Sequence, residues 1–490
     1  MASSGSLSYH MISSISIHIF LAGTAQKPVF LVSCGSWLVN LKRLSYNESQ
    51  NDGGGIGLDV QRMEEIGQEA RKAFLYLSST PVAVRNQALL AMGESIRMHQ
   101  ESILEANRRD VKKALEAGIP KPLISRLTLT AEKCESMISG LNALSLLPDP
   151  LGQIQYAKEL SDGLRLYRVA CPIGVIGVIF ESRPDAFVQI SSLCLKSGNA
   201  VLLKGGREAA ETNEALYQAI RDMSRLTHFP PNWCQLLHTR EDVTEMLKLD
   251  SFIDLIIPRG SNSFVRSIME NSNIPVLGHA DGICHVYVDE PCDLDVAVKV
   301  AVDSKAQNLS VCNAMETLLV HRKTAGAFLP AAATALREKG IILYGDEQVR
   351  KIISCEPATE EDWKTEYLDA ALSIKMVADV DEAIRHINHY GSGHTDCIVS
   401  SDDCHVRHFM ALVDSAGVFH NCSTRFSDGY LYGFGAEIGI ATGKLHARGP
   451  MGLEGLCTYK YKLFGKGHTL GDLREGKFAI IHRDIEPRLG

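Results

Sequence analysis

The chain has no CxxC pair, and its 13 cysteines are odd in number. That spacing argues against a disulfide framework and against the common zinc motifs, so a reducing, cytoplasmic setting is expected. Past the first fifty residues no window reaches the roughly 18 uninterrupted apolar residues of a membrane span, and no membrane association is expected. Long blocks of like charge are also missing. The net charge of -8 is dispersed, which argues against a nucleic-acid surface and leaves anionic substrates dependent on local basic pockets. A further absence is regional: residues 1–47 contain no Asp or Glu, are rich in serine, and include the apolar stretch ISIHIFLAGTA ending at Ala25. No Lys or Arg precedes that stretch. The segment 1–55 therefore reads either as an organellar targeting peptide or as a loosely attached extension.

What is present is ordinary globular composition, 490 residues with 45% hydrophobic and 22% charged, enough for about two or three domains. Val60, Met63, Ile66, Ala70, Ala73, Phe74 and Leu77 recur at helical spacing, and helical patterning persists to about Leu147. IQYAKELSDGLRLYRVA then sets two alternating runs around Ser161, Asp162 and Gly163, a β-hairpin suited to an oligomerisation arm. From 171 onward, apolar runs alternate with helical segments: VIGVIF (175–180), AVLLK (200–204), QLLHT (235–239) and LIIP (255–258). A second series follows, HVYVDE (285–290), ETLLVH (316–321), IILYG (341–345) and DCIVS (396–400). Unbroken Val, Ile and Leu runs between helices indicate parallel sheets covered on both faces. The expected fold class is α/β, two tandem doubly wound domains divided near Asp281.

In open α/β sheets, ligands bind beyond the carboxyl ends of the strands. AVLLK ends in Lys204, Gly205, Gly206 and Arg207, where glycines admit close backbone approach and two cations suit a phosphate. LIIP ends in Arg259, Gly260, Ser261 and Asn262 and opens a helix whose free amides suit an anion. Each alone is a weak signal, since a glycine between strand and helix is more often only a turn. GFGAEIG (433–439) imitates a dinucleotide fingerprint but follows no strand and has the wrong spacing. Cys312 stands before a strand after the polar residues Gln307, Asn308 and Ser310. A lone cysteine is usually an inert core residue, and becomes a nucleophile only as a thiolate. HINHYGSGHTD (386–396) carries three imidazoles, yet no acidic or cysteine partner lies at a familiar spacing, so no metal site is expected.

Six blocks in order, CPIGVIGVIFESRPD (171–185), SGNAVLLKGGREA (197–209), DLIIPRGSN (254–262), QNLSVCNAMETLLVH (307–321), AIRHINHYGSGHTD (383–396) and STRFSDGYLYGFGAEIGIATGKLHARGPMGLEGL (423–456), carry a resemblance. From about 58 to 470 the chain resembles the γ-glutamyl phosphate reductase (glutamate-5-semialdehyde dehydrogenase) family of the aldehyde dehydrogenase superfamily. The resemblance implies an NADP-binding domain over 56–150 and 169–281, a catalytic domain over 282–455, and an arm from 151–168 with 456–470, where TYKYKL (458–463) adds a strand. The extension 1–55 and the tail 471–490 lie outside it.

The same resemblance implies Cys312 as nucleophile. The Cys312 amide and the Asn313 side chain become the expected oxyanion donors. Lys204, Gly205, Gly206, Arg207, Gly260, Ser261 and Glu437 become expected cofactor contacts, and Arg183, His279, Asp281, Arg425 and Ser427 candidate substrate contacts. The implied reaction is reduction of L-glutamyl 5-phosphate by NADPH with release of inorganic phosphate, the second step of proline biosynthesis. A homo-oligomer and functional coupling to a separate glutamate 5-kinase are the implied partnerships, because no kinase segment is recognised. Hydrolytic aldehyde dehydrogenases carry ELGG where this chain has VLGH, so Val276 replaces the water-activating glutamate and hydrolysis is expected to be slow. A histidine beside Cys312 is not expected. The rival readings are a hydrolytic aldehyde dehydrogenase and a catalytically silent relative acting in assembly; a phosphate requirement and the retained Cys312 separate them.

Overall fold

The computed structural model describes residues 56–488 other than 182, 228 and 280; the extension 1–55 lies outside the described residues. The helical opening is present as Ile56–Leu77, Val82–Met98, Gln100–Glu116, Lys121–Leu127 and Ala131–Leu146. Strands Cys234–Leu236, Ala200–Lys204, Val175–Phe180 and Leu255–Arg259 form, in that spatial order, a four-stranded parallel sheet. Every residue of Val175–Phe180 and Ala200–Lys204 is buried, as expected of apolar runs covered on both faces.

The second sheet has seven parallel strands, ordered Glu356–Pro357, Ile342–Gly345, Ala371–Val377, Met315–His321, Cys284–Val288, Thr395–Val399 and Gly417–His420. Alternate residues face opposite layers. Val286, Val288, Leu318 and Val320 pack with Phe328 and Leu329 on one side, while Tyr287 and Leu319 pack with Phe409 on the other. The doubly wound expectation therefore holds. Three strands were not read from the sequence. Ala371–Val377 was hidden because Ser373 and Lys375 interrupt its apolar run, although Ser373 is fully buried and bonds Tyr367. Gly417–His420 and Glu356–Pro357 are short edge strands.

Two boundaries differ from expectation. Ile438, Ala441, Ala447, Met451 and Leu456 pack into the core of the helical opening and first sheet, so the stretch 438–456 belongs by packing to the cofactor side and not to the catalytic domain. The arm sheet orders Cys457–Phe464, Leu164–Pro172, Ile154–Ser161 and Arg483–Asp484, all antiparallel. The hairpin turns at Gly163 with φ 74°, which glycine adopts without steric penalty. The tail thus supplies a fourth strand, fastened where Arg483 pairs with the buried Glu159.

Candidate active site

Cys312 lies ahead of Met315–His321, His279 and Gly282 ahead of Cys284–Val288, and His394 ahead of Thr395–Val399. These three strands are adjacent and parallel. Their lead-in segments therefore converge on the amino edge of the catalytic sheet, where Cys312 Sγ and one ring nitrogen from each histidine lie within 4.8 Å of one another. This corrects two expectations. The nucleophile candidate lies at the amino edge, as its place before a strand implied, whereas histidines do stand beside Cys312 and form with it a cluster of metal-ligand type, neither of which was expected. His394 was missed because it is 82 residues from Cys312 in sequence and comes near only through strand order. The glycine-flanked GSGHTD was its available signal.

The backbone around Cys312 is held closely. A Cβ on Gly282 would fall 2.3 Å from the Cys312 carbonyl oxygen and 2.6 Å from its Cα, so only glycine fits there. The Cys284 thiol reaches the Cys312 carbonyl at 3.3 Å. Lys305 and Glu316, both fully buried, pair at 2.5 Å across the base of the loop. Burial dominates at Glu316 and pushes its carboxyl up to about 7 although Lys305 opposes the shift. Asn313 donates to the Ser427 carbonyl at 2.9 Å, and the Thr424 hydroxyl donates to the Asn313 carbonyl at 2.7 Å. The Asn313 side-chain amide is thereby committed to positioning the 424–427 turn. Ser427 is buried and contributes through that carbonyl.

Four arginines surround this edge. Arg126, from the helical opening, donates to the Ser310 carbonyl at 3.2 Å, and Arg425 donates to Gln307 at 2.9 Å. Burial, and then repulsion from Arg183, lowers the pKa of both Arg126 and Arg259. Burial likewise lowers Arg425, against the attraction of Cys312. Arg126, Arg259 and Arg425 nevertheless remain cationic, because guanidinium starts so high. Among the described residues neither Arg183 pairs with Asp185 nor Arg425 with Asp428. The buried Nη1 of Arg259 has no protein partner; sequence reading had placed this residue only at a strand end.

The expected cofactor residues other than Glu437 lie at the carboxyl edge of the four-stranded sheet. Lys204 is buried, its ammonium donates to the Gly205 carbonyl, and burial lowers its pKa. A Cβ on Gly205 would meet the buried Asn213 side chain at 2.1 Å, so packing as well as any ligand favours glycine there, whereas one on Gly206 would meet only the carboxylate end of Glu208, which can turn aside. Arg207 is exposed. Helix Asn262–Asn271 begins at Ser261 without a side-chain cap. Glu181 lies against Gly260, its pKa raised by burial while the Ser261 amide favours its ionised form. A buried cation and an uncapped helix start fit an anionic dinucleotide, with Glu181 partly occupying that start. Glu437 accepts from the Gly429 amide at 2.8 Å, its pKa raised by burial and lowered in part by Arg259. Asp281 is engaged with Arg266 at 2.8 Å and Asn262 at 3.0 Å, which ties the two sheets together. The His279 Nδ1–H donates to the Ile440 carbonyl at 2.8 Å.

Two α/β sheets, one with a dinucleotide-type edge and one presenting a thiol, match a known class. The aldehyde dehydrogenase family model covers residues 57–348, and the chain belongs to that family. Its place within the family is with the gamma-glutamyl phosphate reductases. The protein of that name from Pelotomaculum thermopropionicum is 54% identical over 428 residues, covering 87% of this chain and 99% of its own. The crystal structure of the Thermotoga maritima gamma-glutamyl phosphate reductase matches with a TM-score of 0.82 at 41% identity, over 83% of this chain and 99% of that one. The fold alone is shared with the glyceraldehyde-3-phosphate dehydrogenase GapN of Methanocaldococcus jannaschii, complexed with NADP, at TM-score 0.60 and 16% identity over 83% and 95%. No described helix is long and apolar enough to cross a membrane.

Proposed function

We propose that this chain reduces L-glutamyl 5-phosphate to L-glutamate 5-semialdehyde with NADPH and releases inorganic phosphate. The observation that carries this reading is a thiol within the electrostatic reach of Arg259 and Arg425, with Arg126 and Arg183 nearby, which suits a doubly anionic acyl phosphate. Cys312 attacks the acyl carbon, and the carbonyl electrons move onto oxygen, where backbone amides at 312 and 313 receive them. Collapse expels phosphate and leaves a thioester. His394 and His279 are the bases within reach of the thiol proton. The nicotinamide dinucleotide, when bound, supplies the hydride that reduces this thioester, and the Cys312 thiolate then departs to free the aldehyde. Lys204, Arg207 and the Gly260–Ser261 helix start are the residues that would hold the dinucleotide, with Glu437 on its nicotinamide side. The two cations Lys204 and Arg207 favour NADPH over NADH. Bidentate contact to the phosphate or the α-carboxylate falls to Arg183, Arg259 and Arg425.

Val276 sits against Ile256 in the cofactor core, so no carboxylate stands at that position. The neighbouring imidazoles nevertheless give the site a base. The exposed Tyr459, Tyr461, Leu463 and Phe464 of the arm favour a homo-oligomer, and the described cysteines, all free, favour the cytoplasm. A separate glutamate 5-kinase is the natural supplier of the unstable acyl phosphate. The test is NADP+ reduction with glutamate 5-semialdehyde, with and without inorganic phosphate, beside Cys312→Ala. Activity requiring both phosphate and thiol is expected; activity without phosphate would identify a hydrolytic enzyme, and none at all a silent relative.

A further inference from the structure

We propose that Cys312, His279 and His394 bind a soft divalent cation, Zn2+ foremost, which takes the nucleophile as a ligand and blocks it reversibly. Thiolate and imidazole are the donors that zinc prefers, and three protein ligands leave one tetrahedral position open. The three donor atoms lie within 4.8 Å of one another. Zinc bonds of the usual length place ligand atoms roughly 3.5 Å apart, a contraction that rotation of the half-buried Cys312 and His279 side chains can supply.

Hydrogen bonds hold the ring of each histidine. The His279 Nδ1–H is fixed on the Ile440 carbonyl at 2.8 Å, which leaves Nε2 with its lone pair free, the arrangement that outer hydrogen bonds impose on metal-binding imidazoles. His394 is wholly buried, with Nδ1 at 2.9 Å from the Thr395 hydroxyl. Its Nε2 is buried without any protein partner, a condition that ordinarily costs free energy unless a ligand fills it. An unpartnered buried nitrogen on one of the three clustered residues is thus a second feature, independent of the proximity of the donors.

The surrounding arginines set the character of the site. Arg259 and Arg425 both interact electrostatically with Cys312, and they repel a dication. Affinity is thereby held below that of a structural zinc site, and the metal exchanges with solvent. Binding converts the Cys312 thiol to a zinc-bound thiolate and releases its proton to water. No electron is transferred, and removing the metal restores the thiol.

The experiment uses the full chain, free of substrate, in a phosphate-free and weakly coordinating buffer. Equilibrium dialysis against ZnCl2 should show one zinc per chain that disappears in Cys312→Ser. Iodoacetamide labelling of the Cys312 peptide, read by mass spectrometry, should slow with Zn2+ and recover with EDTA. His279→Ala, at a half-buried position, should still be alkylated but should need about tenfold more zinc for protection. Zinc stoichiometry unchanged in Cys312→Ser, or alkylation indifferent to zinc, overturns the proposal. Neither readout involves turnover, so an error in the assigned substrate leaves the result intact.

Discussion

The two edges of the seven-stranded sheet are built from similar polar residues and differ in how fully those residues are bonded. At the carboxyl edge, Asp289 is fully buried and accepts from the Tyr287 hydroxyl at 2.7 Å and the Ser400 hydroxyl at 2.7 Å, and meets His405 Nδ1 at 2.8 Å. Its carbonyl accepts from the Thr324 hydroxyl, and Ser400 accepts in turn from the Asp402 amide. Every one of these oxygens has a partner. At the amino edge, His394 Nε2 and Asn313 Oδ1 are buried without one, as is Arg259 Nη1 facing them from the other sheet. A saturated network stabilises a fold, whereas unpaired buried groups are retained at a free-energy disadvantage and mark a place for something else. Saturation separates His405, whose Nδ1 is tied to Asp289, from His394, whose buried Nε2 has no partner; His285 and His386 also carry an unpaired buried Nε2, so it is the neighbouring thiol that singles His394 out.

The sharpest test of that contrast pairs one substitution from each edge. Cys312→Ala is expected to lower turnover by about four orders of magnitude or more while leaving the unfolding midpoint in urea unchanged. Asp289→Ala strands three donors and is expected to destabilise the chain by about 3–5 kcal/mol, with kcat preserved in whatever fraction remains folded. A stability loss in the first, or a selective kcat loss in the second, would break the distinction between edges. The next effect in size concerns the arginines. Arg183→Lys and Arg425→Lys keep the charge but lose the planar fork, so each should raise KM for the acyl phosphate about tenfold with little change in the rate of Cys312 alkylation. If both substitutions leave KM alone, the arginines serve the fold and the amino edge is less open than its unpaired atoms indicate.

Legibility from sequence followed the same division. Strands with unbroken apolar runs, such as Val175–Phe180 and Ala200–Lys204, were visible because burial on both faces writes itself as continuous Val, Ile and Leu. Ala371–Val377 was not, because Ser373 satisfies its hydroxyl internally and so tolerates burial that composition alone would deny it. Lys204 and the 260–261 helix start could be read because strand, glycine and helix are consecutive in the chain. The amino-edge cluster could not, since Cys312, His279 and His394 meet only when three parallel strands take neighbouring places. The resemblance named Cys312 and His279, but strand order was needed to bring His394 to them. Segment 438–456 was misplaced for a related reason: it follows the catalytic strands in sequence but carries Ile438, Met451 and Leu456 back into the first core.

The smallest expected effect probes the closed edge through pH. The hydrogen bond to Asp289 raises the His405 pKa above its usual value of 6.5, outweighing desolvation. A histidine raised in the folded state holds its proton more tightly there than in the unfolded chain. Its contribution to stability is therefore complete below about pH 6.5 and is lost as pH climbs through the higher folded value. His405 is 40% exposed in its side chain, so solvent screens the pair and the contribution is small. The measurement is the difference in unfolding free energy between the native chain and His405→Asn, taken at intervals from about pH 6 to pH 8. That difference should shrink as pH rises. A flat or growing difference would mean that Asp289 does not favour the imidazolium, and the closed edge would then owe its stability to the Tyr287 and Ser400 hydroxyls alone.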